Sequence, residues 1–320
     1  MGTVTPGMIL TTLAIFLLVA GCSGIERGRG DTPRIGIAHL GAADGDPRGL
    51  ATIGEEFRSR NPGHDVAFFR DTTSLAKRPT PRTVFVQGGE TRATVMGTSG
   101  ERHSDLWVGD IIVLRPGESL SLADPISLVV FETNTPPPPS LPSFIRPDWD
   151  PRITDTPGGC ATEEGAYRRI LLTWREEVGP YIWHGVNAHR VRISDSFTHY
   201  HPLVGGFDEF YLVQMVQPGG RILTSAAVEA IESRQVDRRQ ASSLLRSDLL
   251  EVGDLVYLPR GLIHRGVGGV LAQVITFPGF RPGAEIGVDH HLRAISEALG
   301  LTGDEAIPYH QIASLEEVVK

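Results

Sequence analysis

The sequence has few cysteines, no excess of basic residues and none of the common catalytic loop motifs. Only two cysteines occur in 320 residues, which excludes a disulfide scaffold and a zinc site built from thiolates. The formal net charge is -8, and this acidic balance argues against a nucleic-acid binder. Neither a GxSxG elbow nor a GxxxxGK[ST] phosphate loop is present. The composition is otherwise that of a globular chain, long enough for two domains or for one large domain with tails.

An apolar run of 12 residues, MILTTLAIFLLV, lies at positions 8–19. It is too short for an ordinary membrane span and fits the hydrophobic region of a secretory signal. The following Ala20-Gly21-Cys22 resembles the lipobox of bacterial lipoproteins. The resemblance implies a signal peptide over residues 1–21, lipidation of Cys22, a tether over residues 22–32, and an extracytoplasmic protein anchored to a bacterial membrane. No Lys or Arg precedes the run, so a simple secretory signal is the alternative, and Cys160 remains a lone thiol.

Short apolar runs separated by Gly and Pro predict an all-β fold with few helices. The predicted strands are 82–87, 91–96, 110–114, 127–132, 209–216, 254–258 and 271–277. The predicted helices are 51–60, 224–234, 243–247 and 289–300. Asp289 is the expected N-cap of the last helix and Gly300 its C-cap.

Two features divide the chain into similar halves. The proline-rich run at 133–147 cannot lie inside a sheet, and GDIIVLRPGESL at 109–120 is echoed by GDLVYLPRGLIH at 253–264. The prediction is a first domain over 33–135, a connection over 136–147, a second domain over 148–288 and a C-terminal helical tail over 289–320. The alternative is one domain in which the proline run is a long surface loop.

Candidate metal ligands cluster in the second half. His199 and His201 are two residues apart, so on a strand both imidazoles point to one face, and imidazole is a common metal ligand. The consecutive carboxylates Asp208 and Glu209 open the next apolar strand, and either could reach the histidines. His264 follows the Pro259-Arg260-Gly261 turn.

These stretches resemble the two sequence motifs of the cupin superfamily. Residues 253–264 fit the second motif at every fixed position. The first motif fits less closely, because seven residues separate His201 from Glu209 where the family has three or four, and Ile193 stands at the family glycine. The resemblance implies two small cupin-type β-barrels of the double-stranded β-helix or jelly-roll kind. It also implies one divalent metal ion, Fe, Mn, Ni, Zn or Co, held by His199, His201, Glu209 and His264. Leu120 stands where His264 stands in the second half, so the first barrel is expected to be metal-free.

The family resemblance favours a metal-dependent enzyme of the dioxygenase, decarboxylase or isomerase type, acting on a small polar molecule. A non-catalytic lipoprotein that binds a small ligand or a metal is the alternative, and a purely structural metal is a third hypothesis. Tyr211 and Arg260 are the candidate catalytic residues beside the ligands. His184 and His189 precede the first motif, and one of them could enter the barrel. Expected partners are the small molecule and the membrane, with assembly into a homo-oligomer also compatible with the sequence.

Overall fold

The computed structural model describes residues 1–2, 32–158 and 167–320. Residues Pro33–Lys320 form one compact unit. The apolar run at 8–19, Cys22 and Cys160 lie outside the described residues, so the predictions made for them stay predictions. Among the residues that are described, no helix is long and apolar enough to cross a membrane.

The compact unit is mostly β-structure. Its strands are β1 (Gly36–His39), β2 (Asp65–Leu75), β3 (Arg82–Gly88), β4 (Thr91–Gly97), β5 (Gly100–Leu106), β6 (Ile111–Leu114), β7 (Ser119–Glu132), β8 (Phe144–Ile145), β9 (Arg168–Leu172), β10 (Asn187–Asp195), β11 (His199–Tyr200), β12 (Asp208–Val216), β13 (Arg221–Ser225), β14 (Arg246–Leu249), β15 (Asp254–Leu258), β16 (Ile263–Phe277) and β17 (Ile286–Gly287). Its helices are α1 (Pro47–Arg60), α2 (Val228–Glu232), α3 (Arg238–Ala241) and α4 (Asp289–Leu299), followed by a 3-10 turn at Gly303–Glu305.

Two antiparallel, barrel-like sheets make up the fold, which confirms the prediction of an all-β protein. The first sheet has seven strands in the order β5-β4-β7-β3-β6-β8, with β2 also on β7. The second has ten strands, with the path β1-β15-β12-β16-β10-β9 and with β11, β13, β14 and β17 attached. Strand β1, from the predicted first domain, pairs with β15 and forms an edge of the second sheet.

The two similar sequence segments, 109–120 and 253–264, also have similar local structures. In each half a short strand, β6 or β15, leads through a turn into the longest strand of its sheet, β7 or β16. The matched glycines Gly109 and Gly253, and likewise Gly117 and Gly261, all have positive φ. Residues with a side chain rarely adopt this conformation, so the shared glycines reflect a shared turn geometry.

Several strands are buried on both faces, which explains why they read as unbroken apolar runs. In β3, Val84 and Val86 point into the interior of the first sheet, whereas Phe85 joins a cluster that residues of both sheets share. In β12, Tyr211 and Val213 point into the second barrel, and Phe210 and Leu212 join the same shared cluster. The largest apolar core of the molecule therefore lies where the two halves meet.

The stretch between β12 and β15 differs from the sequence prediction. Helices were expected at 224–234 and 243–247. Within the first span, Thr224 and Ser225 end β13 and only 228–232 is helical. The second span is not helical, and β14 begins at 246. Strand β13 pairs with β16, and this tertiary pairing overrides the local helical preference. The short helices instead pack their apolar residues against α4.

The start of α4 also differs. The N-cap is Val288, and Asp289 is the first helical residue. Its carboxylate accepts hydrogen bonds from the backbone N–H and hydroxyl of Thr198 and from the N–H of His310. The expected C-cap Gly300 is present, with φ 62°.

Candidate metal centre

Strand pairing brings the three motif histidines together. His199 on β11 lies directly opposite His264 on β16. His201 follows two residues later, and its carbonyl accepts a 2.7 Å hydrogen bond from the N–H of Gly261 in the turn before β16. All three side chains are almost completely buried. The two motifs are therefore joined by backbone contacts that fix the histidines relative to one another.

The three imidazoles present donor atoms to one point. One ligand atom from each of His199, His201 and His264 can be chosen so that all lie within 4.8 Å of one another. The Nδ1 of His199 lies 3.1 Å from the carbonyl of Phe197, and that of His264 lies 3.2 Å from the carbonyl of Leu262. Because a carbonyl only accepts, each Nδ1 carries the proton, and each Nε2 presents its lone pair to the cluster. Backbone bonds of this kind commonly orient metal-binding histidines.

Strand alternation separates the two consecutive carboxylates. Glu209 points toward the histidines, and its Oε1 lies 3.3 Å from Nε2 of His264. Asp208 points to the opposite face, where its carboxylate pairs with Arg260 at 2.8 Å and accepts from Tyr257 and Asn61. Of the two carboxylates that the sequence left open, Glu209 is the one placed at the cluster.

The long spacing between His201 and Glu209 is taken up by a turn. The N–H of Gly206 donates to the carbonyl of Pro202, which loops out the intervening residues and exposes Leu203 and Val204. The ring of Phe207 then lies 4.0 Å from the His201 ring, between centroids. The departure from the usual motif is thus a local surface loop that leaves the ligand geometry intact.

Burial keeps His199 and His201 neutral. Desolvation lowers the pKa of His199 well below its usual value, and the neighbouring His264 lowers it further. The pKa of His201 is lowered for the same reasons, with His264 and His199 as the neighbours. A neutral imidazole is the form that binds metal.

The donor set fits a divalent metal ion. The Nε2 atoms of His201 and His264 are buried and have no hydrogen-bond partner among the described residues, which is costly for polar atoms unless something else satisfies them. Three imidazoles with one carboxylate suit Fe, Mn, Ni, Zn or Co. The sequence prediction of one divalent metal ion agrees with this arrangement.

The cluster opens onto a cavity of about 260 Å³, and His199 and Glu209 lie in its wall. Asn187, Thr276 and Glu209 face one another across β10, β16 and β12, and all three line the cavity. The Oδ1 of Asn187 and Oγ1 of Thr276 are buried and unpartnered within the described part of the chain. These three neighbouring strands therefore place polar side chains in the cavity wall beside the histidine cluster.

Sequence reasoning missed the second carboxyl group of the cavity. Glu285 lines the cavity, and its pKa is raised to about 7 by burial and by the nearby charge of Glu209. The segment that contains Lys320 pairs antiparallel with it, since Glu285 and Lys320 exchange backbone hydrogen bonds of 3.0 Å. This pairing places residues 318–320, which belong to the predicted C-terminal tail, beside the cavity. Neither residue belongs to a motif, so no sequence signal could identify them.

The remaining candidates lie in different places. Tyr211 is buried in the apolar core of the second barrel. The structure does not bring Arg260 to the cluster, because its guanidinium bonds to Asp208, Asn61 and the carbonyl of Arg60. His189 lines the cavity, whereas His184 is exposed. Leu120, the counterpart of His264, is buried in the apolar interior of the first sheet.

The fold and the site together define an all-β protein of two barrel-like sheets with one buried cluster of three histidines and a carboxylate. No family model matches the chain, and no curated protein matches its sequence. Solved structures of oxalate decarboxylase are similar to it. One, from work on the Mn(II) centres of the Bacillus subtilis enzyme, has 13% identity and a TM-score of 0.46, covering 78% of each chain. Another, from work on proton-coupled electron transfer in oxalate decarboxylase, has 12% identity and a TM-score of 0.45, covering 76% of this chain and 77% of the other.

Proposed function

We propose that this protein is a metal-dependent, cupin-type enzyme that acts on a small organic molecule through the second barrel. The observation that supports this most directly is that two members of the donor set, His199 and Glu209, line a cavity. A structural metal is usually enclosed by protein ligands, whereas a catalytic metal keeps an open position. The cavity supplies the space for that open position.

Different residues have different roles in the proposed site. His199, His201, Glu209 and His264 would hold the ion, which supplies Lewis acidity or O₂ activation when bound. Asn187 and Thr276 present hydrogen-bonding groups beside it. Glu285 is the carboxyl group placed to give or take a proton, since its pKa near 7 is suited to general acid-base work. The proposal keeps three alternative reaction classes: dioxygenase, decarboxylase and isomerase.

Metal analysis of purified protein comprising residues 23–320 tests the proposal. We expect close to one divalent ion per chain, and we expect His264→Ala to remove most of it. His103→Ala is the matched control, because His103 is exposed on β5 of the first sheet. A folded wild-type protein that resists loading with Fe, Mn, Ni and Zn would contradict the proposal.

Turnover separates the enzyme from a binding protein. Metal-loaded protein is assayed for O₂ uptake and for product formation with catechols, carboxylic acids and sugars. Conversion that is lost in both His264→Ala and Glu285→Gln supports the enzyme. Tight binding of a compound without conversion supports the alternative of a non-catalytic binding lipoprotein.

We further propose that the protein acts outside the cytoplasm, anchored by lipid on Cys22. The support is the small-small-Cys end of the apolar run at 8–19. The full chain should label with fatty acid and sediment with membranes, and Cys22→Ser should abolish the label. Equal labelling of the variant would overturn this proposal.

A further inference from the structure

The cavity beside the metal cluster has a chemical character that the metal ligands do not determine. Its wall contains three basic side chains, those of Arg168, Arg175 and Lys320, besides the carboxylates Glu209 and Glu285. With Glu209 assigned to the metal ion, the wall and the ion together carry an excess of positive charge. Arg175 and Lys320 are exposed, and a cleft whose wall carries net positive charge attracts an anionic ligand.

Another part of the wall is apolar and flat. The rings of Trp174 and Phe280 stack with centroids 4.2 Å apart and an interplanar angle of 24°, and both line the cavity. Ile170 and Val274 add aliphatic surface. Planar apolar groups pack well against such a surface, whereas a small, wholly polar ligand would leave it uncovered.

Two hydrogen-bond donors belong to residues of the described wall, Trp174 and Lys320. The Nε1–H of Trp174 is buried and has no partner among the described residues. The ammonium of Lys320 lies 4.4 Å from the centroid of the Phe197 ring, and Phe197 stacks on the metal-site residue His199 at 4.2 Å. The strand pairing of residues 318–320 with 285–287 holds Lys320 at the cavity.

We propose that the ligand of this cavity is a small organic monoacid with a flat apolar body, and that Lys320 binds its carboxylate. The inference rests on the proposed function, because it names the substrate class of the same site. The apolar body lies against Trp174 and Phe280, and the carboxylate is held by Lys320 with Trp174 Nε1–H as a second donor. Lys320 is thus a specificity-determining residue that is not a metal ligand.

The chain contains only two lysines, Lys77 and Lys320, and this makes the test direct. Lys77 is exposed on the loop after β2, so Lys77→Met is a matched control for Lys320→Met. Binding of benzoate, of its neutral analogue benzamide and of oxalate is measured by calorimetry on metal-loaded protein comprising residues 23–320. Reductive methylation with ¹³C gives one NMR signal for each lysine, assigned with the two variants.

Benzoate should bind more tightly than benzamide and oxalate. Lys320→Met should weaken benzoate binding by about tenfold or more, the usual effect of removing a charge-assisted hydrogen bond, and should leave benzamide unchanged. Benzoate should shift the Lys320 signal and leave the Lys77 signal in place. Equal affinity for benzoate and benzamide, an unaffected Lys320→Met variant, or a preference for oxalate would each overturn the inference.

The metal content of the same samples keeps the two proposals distinguishable. Protein that holds metal but shows no binding dependent on Lys320 contradicts the inference alone. Metal-free protein that binds benzoate through Lys320 contradicts the metal proposal and leaves the assignment of the acid site standing.

Discussion

Asp208 and Glu209 are adjacent in sequence and have opposite surroundings. Glu209 faces the imidazoles, 3.3 Å from His264, and Asp208 is fully buried in an ion pair with Arg260. The Asp208 carboxylate also accepts hydrogen bonds from Asn61 and Tyr257, so it ties the end of α1 to the second barrel. One carboxylate is therefore placed for ligand binding and the other for structure.

The two carboxylates should respond differently to substitution. Asp208→Ala leaves Arg260 without its buried partner and should cost about 3–5 kcal/mol of stability, as removal of one member of a buried pair does. Glu209→Gln should leave stability near wild type and reduce metal affinity. Urea denaturation and metal titration of both variants measure the two effects. Loss of metal affinity in a stable Asp208→Ala variant, with Glu209→Gln unaffected, would reverse the assignment.

Glu285 makes the stability of the metal-free protein depend on pH. Its pKa is raised from 4.5 to about 7 in the folded state, so the folded state holds its proton more tightly than the unfolded state. Stability is then lost as pH rises from about 4.5 through about 7. Because one pKa unit corresponds to about 1.4 kcal/mol, Glu285→Gln should gain roughly 3–4 kcal/mol over wild type across this range.

Urea denaturation of the metal-free proteins at several pH values checks the size and the sign of this difference. Glu101→Gln is the control, because Glu101 is exposed on β5. A difference between wild type and Glu285→Gln that does not change with pH would contradict the assignment.

How far the sequence predicts the site depends on the kind of residue. The histidines and Glu209 lie in motifs whose spacing encodes strand alternation and a turn, so they can be identified from the sequence. Glu285 and Lys320 come from irregular segments that reach the cavity only through long-range pairing. No local sequence pattern predicts that these two residues reach the cavity. Nor does any local pattern predict the hydrogen bond between Arg260 and Asn61, which are about 200 positions apart.

At the scale of elements, strands were easier to predict than the short helices. Strands such as β3, β12 and β15 carry buried residues on both faces, and this produces continuous apolar runs that are visible in the sequence. The segment 224–247 contains helix-forming residues, yet it forms β13, two short helices and β14. Pairing of β13 with β16 is a long-range interaction, and local propensity gives no information about it.

Helix α4 connects the short helices to the metal cluster. Its first residue, Asp289, is 1% exposed and accepts two hydrogen bonds from Thr198 at 2.6 and 2.5 Å. Thr198 directly precedes His199, so Asp289 holds the strand that carries this proposed metal ligand. Farther along α4, Leu292 and Ile295 pack in the same apolar cluster as Ile231 of α2.

Replacing Asp289 should lower the metal affinity of the site without changing any of the proposed metal ligands. Asp289→Ala should cost about 1.5–3 kcal/mol of stability, the usual range for hydrogen bonds to a charged group, and should lower metal affinity through a less fixed His199. Asp304→Ala is the control, since Asp304 is exposed in the 3-10 turn. Thermal unfolding and metal titration are the measurements, and unchanged metal affinity in a destabilised Asp289→Ala variant would show that Asp289 serves folding alone.

At the scale of the whole molecule, the two halves share one core. Phe131 of the first sheet lies 4.9 Å from Phe210 and 4.8 Å from Phe277 of the second, between ring centroids. Phe57 of α1 packs edge-on against Phe210 at 5.0 Å. In addition, β1 completes the edge of the second sheet beside β15. The first half therefore covers a face and an edge that the second half would otherwise expose.

A fragment comprising residues 148–320 should consequently bind metal but unfold easily. All four predicted ligands lie within it, so metal binding should persist. Its Phe210 and Phe277 lose their contacts with Phe57 and Phe131, and each such loss of packing resembles a large-to-small core substitution that costs about 3–5 kcal/mol. We expect a thermal midpoint at least about 10 °C below that of residues 33–320. Phe131→Ala in the longer protein should fall between the two and keep its metal, because it removes only one side chain of the shared core. A fragment as stable and soluble as the longer protein would show that the barrels are independent, and a second metal ion in the first half would contradict the metal-free interior that Leu120 predicts.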